Sequence, residues 1–223
     1  MGEHDGHRNR LRKRFLEHGM DPLQDHEVLE LLLFYAVPRQ DTNPIARKLL
    51  QHFGSISAVL EASSKELKEI AGIGENAAVL LQMITPLARR YQLSRSDKGI
   101  VFESSADCGN FLIPYFFGIM EEQIYLLCLD GKKKFLTCRL LQEGSANTAF
   151  LPIRKAAEIA IACSASCVIL AHNHPGGVAL PSQADYDATL QLRAAFEPLG
   201  ISVADHIIVS ENDYVSLADN GYL

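Results

Sequence analysis

At 223 residues, with 48% hydrophobic and 22% charged residues, the chain has a globular composition and the length for one large domain or two small ones. No apolar run approaches the roughly 18 residues that a membrane-spanning helix needs, and the polar N-terminus lacks a signal-peptide core. Five cysteines without a disulfide-framework spacing indicate reduced thiols. We therefore expect a cytoplasmic protein that does not associate with membranes.

Charge is divided unevenly along the chain. Residues 1–98 hold 14 Lys and Arg against 13 Asp and Glu, whereas residues 99–223 hold 7 against 14. An acidic surface repels the phosphate backbone of nucleic acids. Any contact with DNA is therefore predicted for the first part of the chain.

The first part is helical by pattern. Helix start and stop signals occur in chain order at "DPLQ" (21–24) before an apolar run, in "NPIARKLLQHFG" (43–54), at the capping box "SSKE" (63–66), and over Glu75 to about Tyr91. The polar stretch "SRSDKG" (94–99) is typical of a linker. These signals predict a helical domain over residues 1–93, a linker over 94–101 and a second domain over 102–223.

The segment "IAGIGENAA" (70–78) lies between two of these helices, as a helix-hairpin-helix motif does. Gly72 and Gly74 permit a tight bend, and the N-terminus of the next helix presents free N–H groups to a phosphate. Asn76 stands where DNA-binding hairpins often carry a basic residue, and Glu75 is negative. The hairpin either binds DNA through Gly72 and Gly74 or serves as a packing or protein-contact element.

The second part alternates strands with helices. Strands are predicted at "EQIYLLCLD", "KKFLTCRLLQ", "CVILA" and "ISVADHIIVS", with a hairpin turn at Asp130-Gly131. Helices are predicted after Ser104, over residues 151–163, and from Ser182 to about Pro198. The sequence predicts an α/β domain in which a mixed sheet is covered by helices on both faces.

Two histidines follow the buried strand "CVILA" in the stretch "AHNHPGGVALPSQAD" (171–185). Because strand side chains alternate, His172 and His174 should project to the same side and reach one ion. Ser182 and Asp185 form a Ser-x-x-Asp cap pattern, which places Asp185 in the first turn of a helix as a third ligand. Two histidines and one carboxylate leave one position of a zinc ion open, as in catalytic sites.

This stretch resembles the metal motif of the JAB/MPN metallopeptidases, in which His-x-His-Pro is followed by six residues and Ser-x-x-Asp. The letters "HNHP" and "DHIIVSENDYVSL" are more similar to the RadC branch, bacterial proteins long labelled as DNA-repair factors. The resemblance covers nearly the whole chain, because that branch also begins with a helix-hairpin-helix-like domain. It implies a JAB/MPN-like mixed sheet layered with helices and one Zn²⁺ per chain on His172, His174 and Asp185.

The resemblance also implies an upstream glutamate that acts through the metal-bound water, and "EQIYLLCLD" places Glu122 in that position. Glu143, after the second strand, is the alternative base. The serine that matches Ser182 stabilises an oxyanion in the wider peptidase group, whereas a capping role would use its hydroxyl on a backbone N–H. Asp205 and His206 match the RadC branch without an assigned role.

Two functions follow from these expectations. The first is a zinc-dependent metallopeptidase or isopeptidase with a peptide or protein substrate, and the complete ligand set favours it. The second is a DNA-associated binding protein whose metal domain is structural or recognitional. The letters "HNH" do not indicate the nuclease of that name, because that enzyme spreads the three residues over a ββα unit.

Overall fold

The computed structural model describes residues 3–38, 40–94, 99–144, 151–211 and 213–223, and no side chain before Gly6. The chain divides into two compact units, Met1–Ala88 and Arg89–Leu223. Residues 95–98 of the predicted linker lie outside the described residues. Within the described ranges, no helix has the length and apolar character needed to cross a membrane.

The first unit is helical. Its elements are α1 (Glu3–His18), α2 (Asp25–Ala36), α3 (Asn43–Phe53), α4 (Ile56–Glu61), α5 (Ser64–Lys68) and α6 (Glu75–Ser94), whose last residues belong to the second unit. Ser63 caps α5 in a box with Glu66, as predicted, and α3 stops at Gly54 in the left-handed conformation. Helix α2 begins later than the first letters of "DPLQ" indicate. Its cap is Gln24, the last residue of that stretch, in a box with Glu27.

The second unit is an α/β domain. Its elements are α7 (Ser105–Phe116), β1 (Gln123–Leu129), β2 (Phe135–Glu143), α8 (Ile153–Ala162), β3 (Cys167–Asn173), α9 (Gln183–Phe196), β4 (Ser202–Ser210) and β5 (Asp213–Ser216). The strands form one sheet in the order β2-β1-β3-β4-β5, in which only β3 and β4 are parallel. The predicted mixed sheet is confirmed.

Helices cover both faces of this sheet. On one face Leu126, Val168 and Leu170 pack against α8 and α9. On the other face Leu127 and Ile169 belong to a core that includes α7. Because β3 is buried on both sides, residues 167–171 are continuously apolar instead of alternating. β3 is also the central strand of the five, so its last residues, His172 and Asn173, lie between β1 and β4.

Two details differ from the sequence-based prediction. The loop between β1 and β2 is longer than the tight hairpin turn predicted at Asp130-Gly131. Within it, the Asp130 carboxylate accepts hydrogen bonds from the N–H groups of Lys132 and Lys134. The left-handed residue in it is Lys133, not Gly131. The sequence analysis also missed β5, which pairs antiparallel with the end of β4.

A register shift between β3 and β4 sets which side chains of β4 face which helices. Val168 pairs with Val203, but Ile169 pairs with Asp205, so Ala204 is an extra residue in β4. Such a bulge reverses the alternation of the residues beyond it. Asp205 therefore lies on the α7 face of the sheet and His206 on the α9 face.

Candidate metal centre

The two histidines of the motif lie where β3 ends. His172 is the penultimate residue of β3 and His174 follows the strand directly. Both lie on the sheet face that α9 covers, because strand side chains alternate and Leu170 packs on that face. Their Nε2 atoms are 2.9 Å apart. The predicted convergence of the two imidazoles is therefore present in the structure.

Asp185 reaches these histidines from the first turn of α9. Its Oδ1 lies 3.1 Å from Nε2 of His172, and its Oδ2 lies 3.8 Å from Nε2 of His174. Ser182 holds the carboxylate in place, because its N–H and its hydroxyl both donate to Oδ2, at 2.7 and 2.6 Å. The helix cap thus points a buried carboxylate at the two imidazoles.

These three side chains fit a metal ion. Among the described residues, they are the one group of three or more His, Cys, Asp or Glu side chains whose ligand atoms lie close enough to share an ion. Tetrahedral zinc with bonds of 2.0–2.2 Å needs ligand atoms separated by about 3.3 Å. The observed separations of 2.9, 3.1 and 3.8 Å lie around that value.

The electrostatics of Asp185 also suit a cation. Burial acts to raise the pKa of its carboxyl, but the hydrogen bonds and charge interaction with His172 and the hydrogen bonds from Ser182 outweigh burial. The pKa of Asp185 is therefore held well below its ordinary value, and the carboxylate is ionised at neutral pH. A metal ligand must be deprotonated, and this one already is.

Each histidine has a further partner at its Nδ1 atom. His174 Nδ1 lies 3.1 Å from the backbone carbonyl of Val178, which can only accept a hydrogen bond. His174 therefore carries its proton on Nδ1, which leaves the lone pair of Nε2 free for an ion. His172 Nδ1 lies 2.8 Å from Nε2 of His206. His206, to which the sequence assigned no role, is thus a direct neighbour of the cluster.

Ser182 uses its hydroxyl within the cap. Its Oγ accepts from the N–H of Asp185 and donates to that residue's Oδ2, so both halves of a capping box are formed. The contribution of Ser182 to an oxyanion site stays a prediction. The Ser182 hydroxyl already donates its hydrogen to the Asp185 carboxylate.

Glu122 directly precedes β1 and is half-buried. Ile124 pairs with His172, so the antiparallel register continued by two residues places Glu122 opposite His174, on the face of the histidines. Its carboxylate is not part of the metal cluster. The role of base stays a prediction, which this extended register supports.

Asn173 holds the backbone on both sides of Glu122. Its side-chain oxygen accepts from the N–H of Gln123 at 2.7 Å, and its amide nitrogen donates to the carbonyl of Glu121 at 3.1 Å. Asn173 lies between the two histidines of the cluster in the sequence. The strand that leads to these histidines therefore also positions the segment that carries the predicted base.

Glu143, the alternative base, is the last residue of β2 and pairs with Gln123. Directly paired residues of adjacent strands share a face, and Gln123 lies on the α7 face. The Glu143 carboxylate accepts a hydrogen bond from Gln123 Nε2 at 2.7 Å. The structure therefore places it on the face opposite to the histidines.

The two glycines of the predicted DNA-binding hairpin lie between α5 and α6 in the first unit. Gly72 has φ of +102°, and a Cβ added there would lie 2.6 Å from the side chain of Ile45. Glu75, at the start of α6, forms an ion pair with Lys68 at 2.7 Å. Gly72 is therefore required for the bend itself, and DNA binding at Gly72 and Gly74 stays a prediction.

Comparisons with known proteins agree with this architecture. Residues 102–222 match the family described as "RadC-like JAB domain", and residues 6–79 match "UPF0758 N-terminal". A UPF0758 protein of Ruegeria pomeroyi is 36% identical over 221 residues, which are 97% of each of the two chains. That relative's name describes no activity. The chain therefore belongs to the family of UPF0758 proteins with a RadC-like JAB domain.

Proposed function

We propose that this protein is a zinc-dependent hydrolase that cleaves a peptide or isopeptide bond in a peptide or protein substrate. One observation carries the proposal: two histidine nitrogens and an ionised, buried carboxylate converge on one point at the end of the central strand β3. The set of two histidines and one carboxylate is typical of catalytic zinc sites with an open position. His172, His174 and Asp185 would hold one Zn²⁺ per chain.

The residues around the ion would each have a separate task. When bound, zinc supplies a water of lowered pKa, about 7, and polarises a carbonyl. Glu122, opposite His174, would take a proton from water and return it to the leaving amine. Asn173 would hold Glu122 in place through the backbone on either side of it.

The metal part of the proposal is tested by zinc content. The purified protein is expected to hold close to one zinc per chain, and His174→Ala should lose it. The fold should persist without the ion, since the sheet has hydrophobic cores on both faces. Metal analysis and circular dichroism of both proteins check these two statements. Zinc content unchanged in a variant with His172→Ala and His174→Ala together would refute the site.

The hydrolase part is tested by exchanging one oxygen for nitrogen at Glu122. Glu122→Gln is expected to keep the zinc but to reduce turnover by about 100-fold or more, because the amide cannot accept a proton. A screen of peptide and isopeptide substrates, with and without chelator, supplies the assay. Glu143→Gln is the matched control and should be nearly silent, since Glu143 lies on the opposite face.

Two results would count against this assignment. Full activity in Glu122→Gln, with loss in Glu143→Gln, would show that the base is Glu143 at the end of β2 and not Glu122. Binding of DNA by the wild-type protein, without cleavage of any peptide or isopeptide substrate, would favour the DNA-associated alternative.

A further inference from the structure

We propose that His206 and Thr189 are positioning residues that fix the ring tautomer of His172, so that its Nε2 lone pair points at the metal. This inference rests on the metal site of the proposed function and not on the hydrolase activity. It assigns a role to a residue of β4 and one of α9 that the ligand pattern does not contain.

A chain of three buried hydrogen bonds carries the inference. The Thr189 hydroxyl lies 2.6 Å from the backbone carbonyl of Asp185 and 2.7 Å from Nδ1 of His206. Nε2 of His206 lies 2.8 Å from Nδ1 of His172. Thr189 and His206 are each 2% exposed, so water does not replace these bonds. The chain begins and ends on metal-site residues.

The direction of each bond follows from the first. A carbonyl oxygen only accepts, so Thr189 must donate its single hydroxyl hydrogen to Asp185. The Thr189 oxygen can then only accept from His206, whose Nδ1 must carry a hydrogen. In a neutral imidazole the other nitrogen is an acceptor, so Nε2 of His206 accepts from Nδ1–H of His172.

The consequence for His172 is a free Nε2 lone pair. The opposite arrangement needs a doubly protonated His206, which would place a positive charge on a ring that is 2% exposed and lies against a second imidazole. The bond from Nδ1–H of His174 to the Val178 carbonyl likewise leaves Nε2 of His174 as the nitrogen that faces the metal. The two Nε2 atoms, 2.9 Å apart, and the Asp185 carboxylate, 3.1 Å from Nε2 of His172, then face one point, which a cation or a proton must occupy.

The chain also couples the ligands to one another. Thr189 is one helical turn after Asp185 on α9 and bonds to its backbone carbonyl. His172 and Asp185 are therefore linked by a path through Thr189 and His206 as well as through the ion. Partners of this kind typically change metal affinity by about 10- to 100-fold when removed.

The first measurement is zinc affinity by competition with a chromogenic chelator, on the full-length protein. His206→Leu and the isosteric Thr189→Val are expected to weaken zinc binding by about 10-fold or more, whereas Thr189→Ser keeps the hydroxyl and should bind like wild type. Asp205→Asn is the matched control, because Asp205 is as buried as His206, its Oδ2 bonds Ser216 on the other face, and the amide oxygen of Asn can still accept from the N–H groups of His206 and Ala218. Thermal unfolding of each variant identifies any that fail to fold.

The second measurement is the ring ¹⁵N spectrum of the same proteins after removal of metal. In wild type, the nitrogen shifts should show hydrogen on Nδ1 of both His172 and His206 and a lone pair on Nε2 of His206, while Nε2 of His172 faces Asp185 and can carry a proton in place of the metal. In Thr189→Val the His172 signal should change toward a mixture of tautomers, a result that a purely structural role would not produce.

The outcomes separate the two proposals. Wild-type protein that binds no zinc would overturn the proposed function, and the nitrogen spectrum would still decide the tautomer. A lone pair on Nδ1 of His172 in wild type, or unchanged zinc affinity in folded His206→Leu and Thr189→Val, would overturn the positioning role.

Discussion

Two residue pairs in the second unit have the same letters but different surroundings. Ser104 with Asp107 and Ser182 with Asp185 each form a complete capping box at the start of a helix. The hydrogen bond from Ser104 is the main cause that lowers the pKa of Asp107, which is exposed. Asp185 is buried against His172. A local motif of the same type thus serves capping alone at Ser104, whereas at Ser182 it also places a carboxylate beside the two histidines.

This pair allows the capping contribution of Ser182 to be separated from its effect on the ligand. Ser182→Ala and Ser104→Ala should each lower the free energy of unfolding by about 1 kcal/mol, the usual cost of a lost N-cap. Only Ser182→Ala should also weaken zinc binding, by about 10-fold, because Asp185 loses the hydroxyl hydrogen bond to Oδ2 and keeps only the one from the backbone N–H. Chemical denaturation and zinc titration measure the two effects, and equal zinc affinities in both variants would contradict the expectation.

The residues of the metal cluster could be predicted because their signal is local. His172 and His174 share a strand, and Asp185 follows within one loop, so spacing and alternation suffice to bring them together. Thr189 could not be found in this way, and His206 could be noticed but given no role. Their contact depends on the pairing of β3 with β4 and on the bulge at Ala204, neither of which leaves a local pattern.

At the scale of elements, the helices were the more predictable part. Caps such as Ser63 and the glycine that ends α3 are short-range signals, and the structure has them where the sequence predicts them. The missed strand β5 has four residues, too few to show alternation, and it exists because β4 offers an edge. The loop after Asp130 differs from a tight Asp-Gly turn because the Asp130 carboxylate binds the N–H groups of two later residues.

The packing of α7 on β5 depends on a glycine inside the helix. A Cβ added at Gly109 would lie 2.6 Å from the ring of Tyr214. Gly109→Ala should therefore lower the free energy of unfolding by about 1–3 kcal/mol, although alanine has the higher helix propensity. Chemical denaturation checks this value. In the background of Tyr214→Ala the same substitution should be neutral or stabilising, and an equal loss in both backgrounds would show that the ring is not the cause.

At the scale of the whole molecule, two arginines of α1 are already used in contacts within the helical unit. Arg8 donates to the carbonyls of Phe34, Val37 and Gln40, and its guanidinium lies over the Phe34 ring. Arg14 forms an ion pair with Glu27. These contacts stabilise the helical unit itself. Part of the basic run "HRNRLRKR" is thus used for folding, which limits its value as a DNA-binding surface.

We therefore expect weak duplex binding or none. Any binding by the full chain should fall steeply as salt rises, and Arg10, Arg12 and Lys13, which are exposed, changed together to Ala should weaken it for all sequences alike. Fluorescence anisotropy at two salt concentrations measures both effects. Arg14→Ala is the control: it should reduce stability through the lost pair with Glu27 but leave binding unchanged. Tight or sequence-specific binding of duplex DNA would contradict the expectation of weak binding or none.

The central place of β3 in the sheet has a consequence for how fast the site can open. His172 is paired on both sides, to Ile124 of β1 and Ile208 of β4, so its amide hydrogen should exchange with solvent only when the whole domain unfolds. The segment from Gly176 to Pro181 is a loop whose Val178 and Leu180 are exposed, and its amides should exchange by local opening. An ion would then enter and leave through motion of this loop, while His172 stays fixed as its permanent anchor.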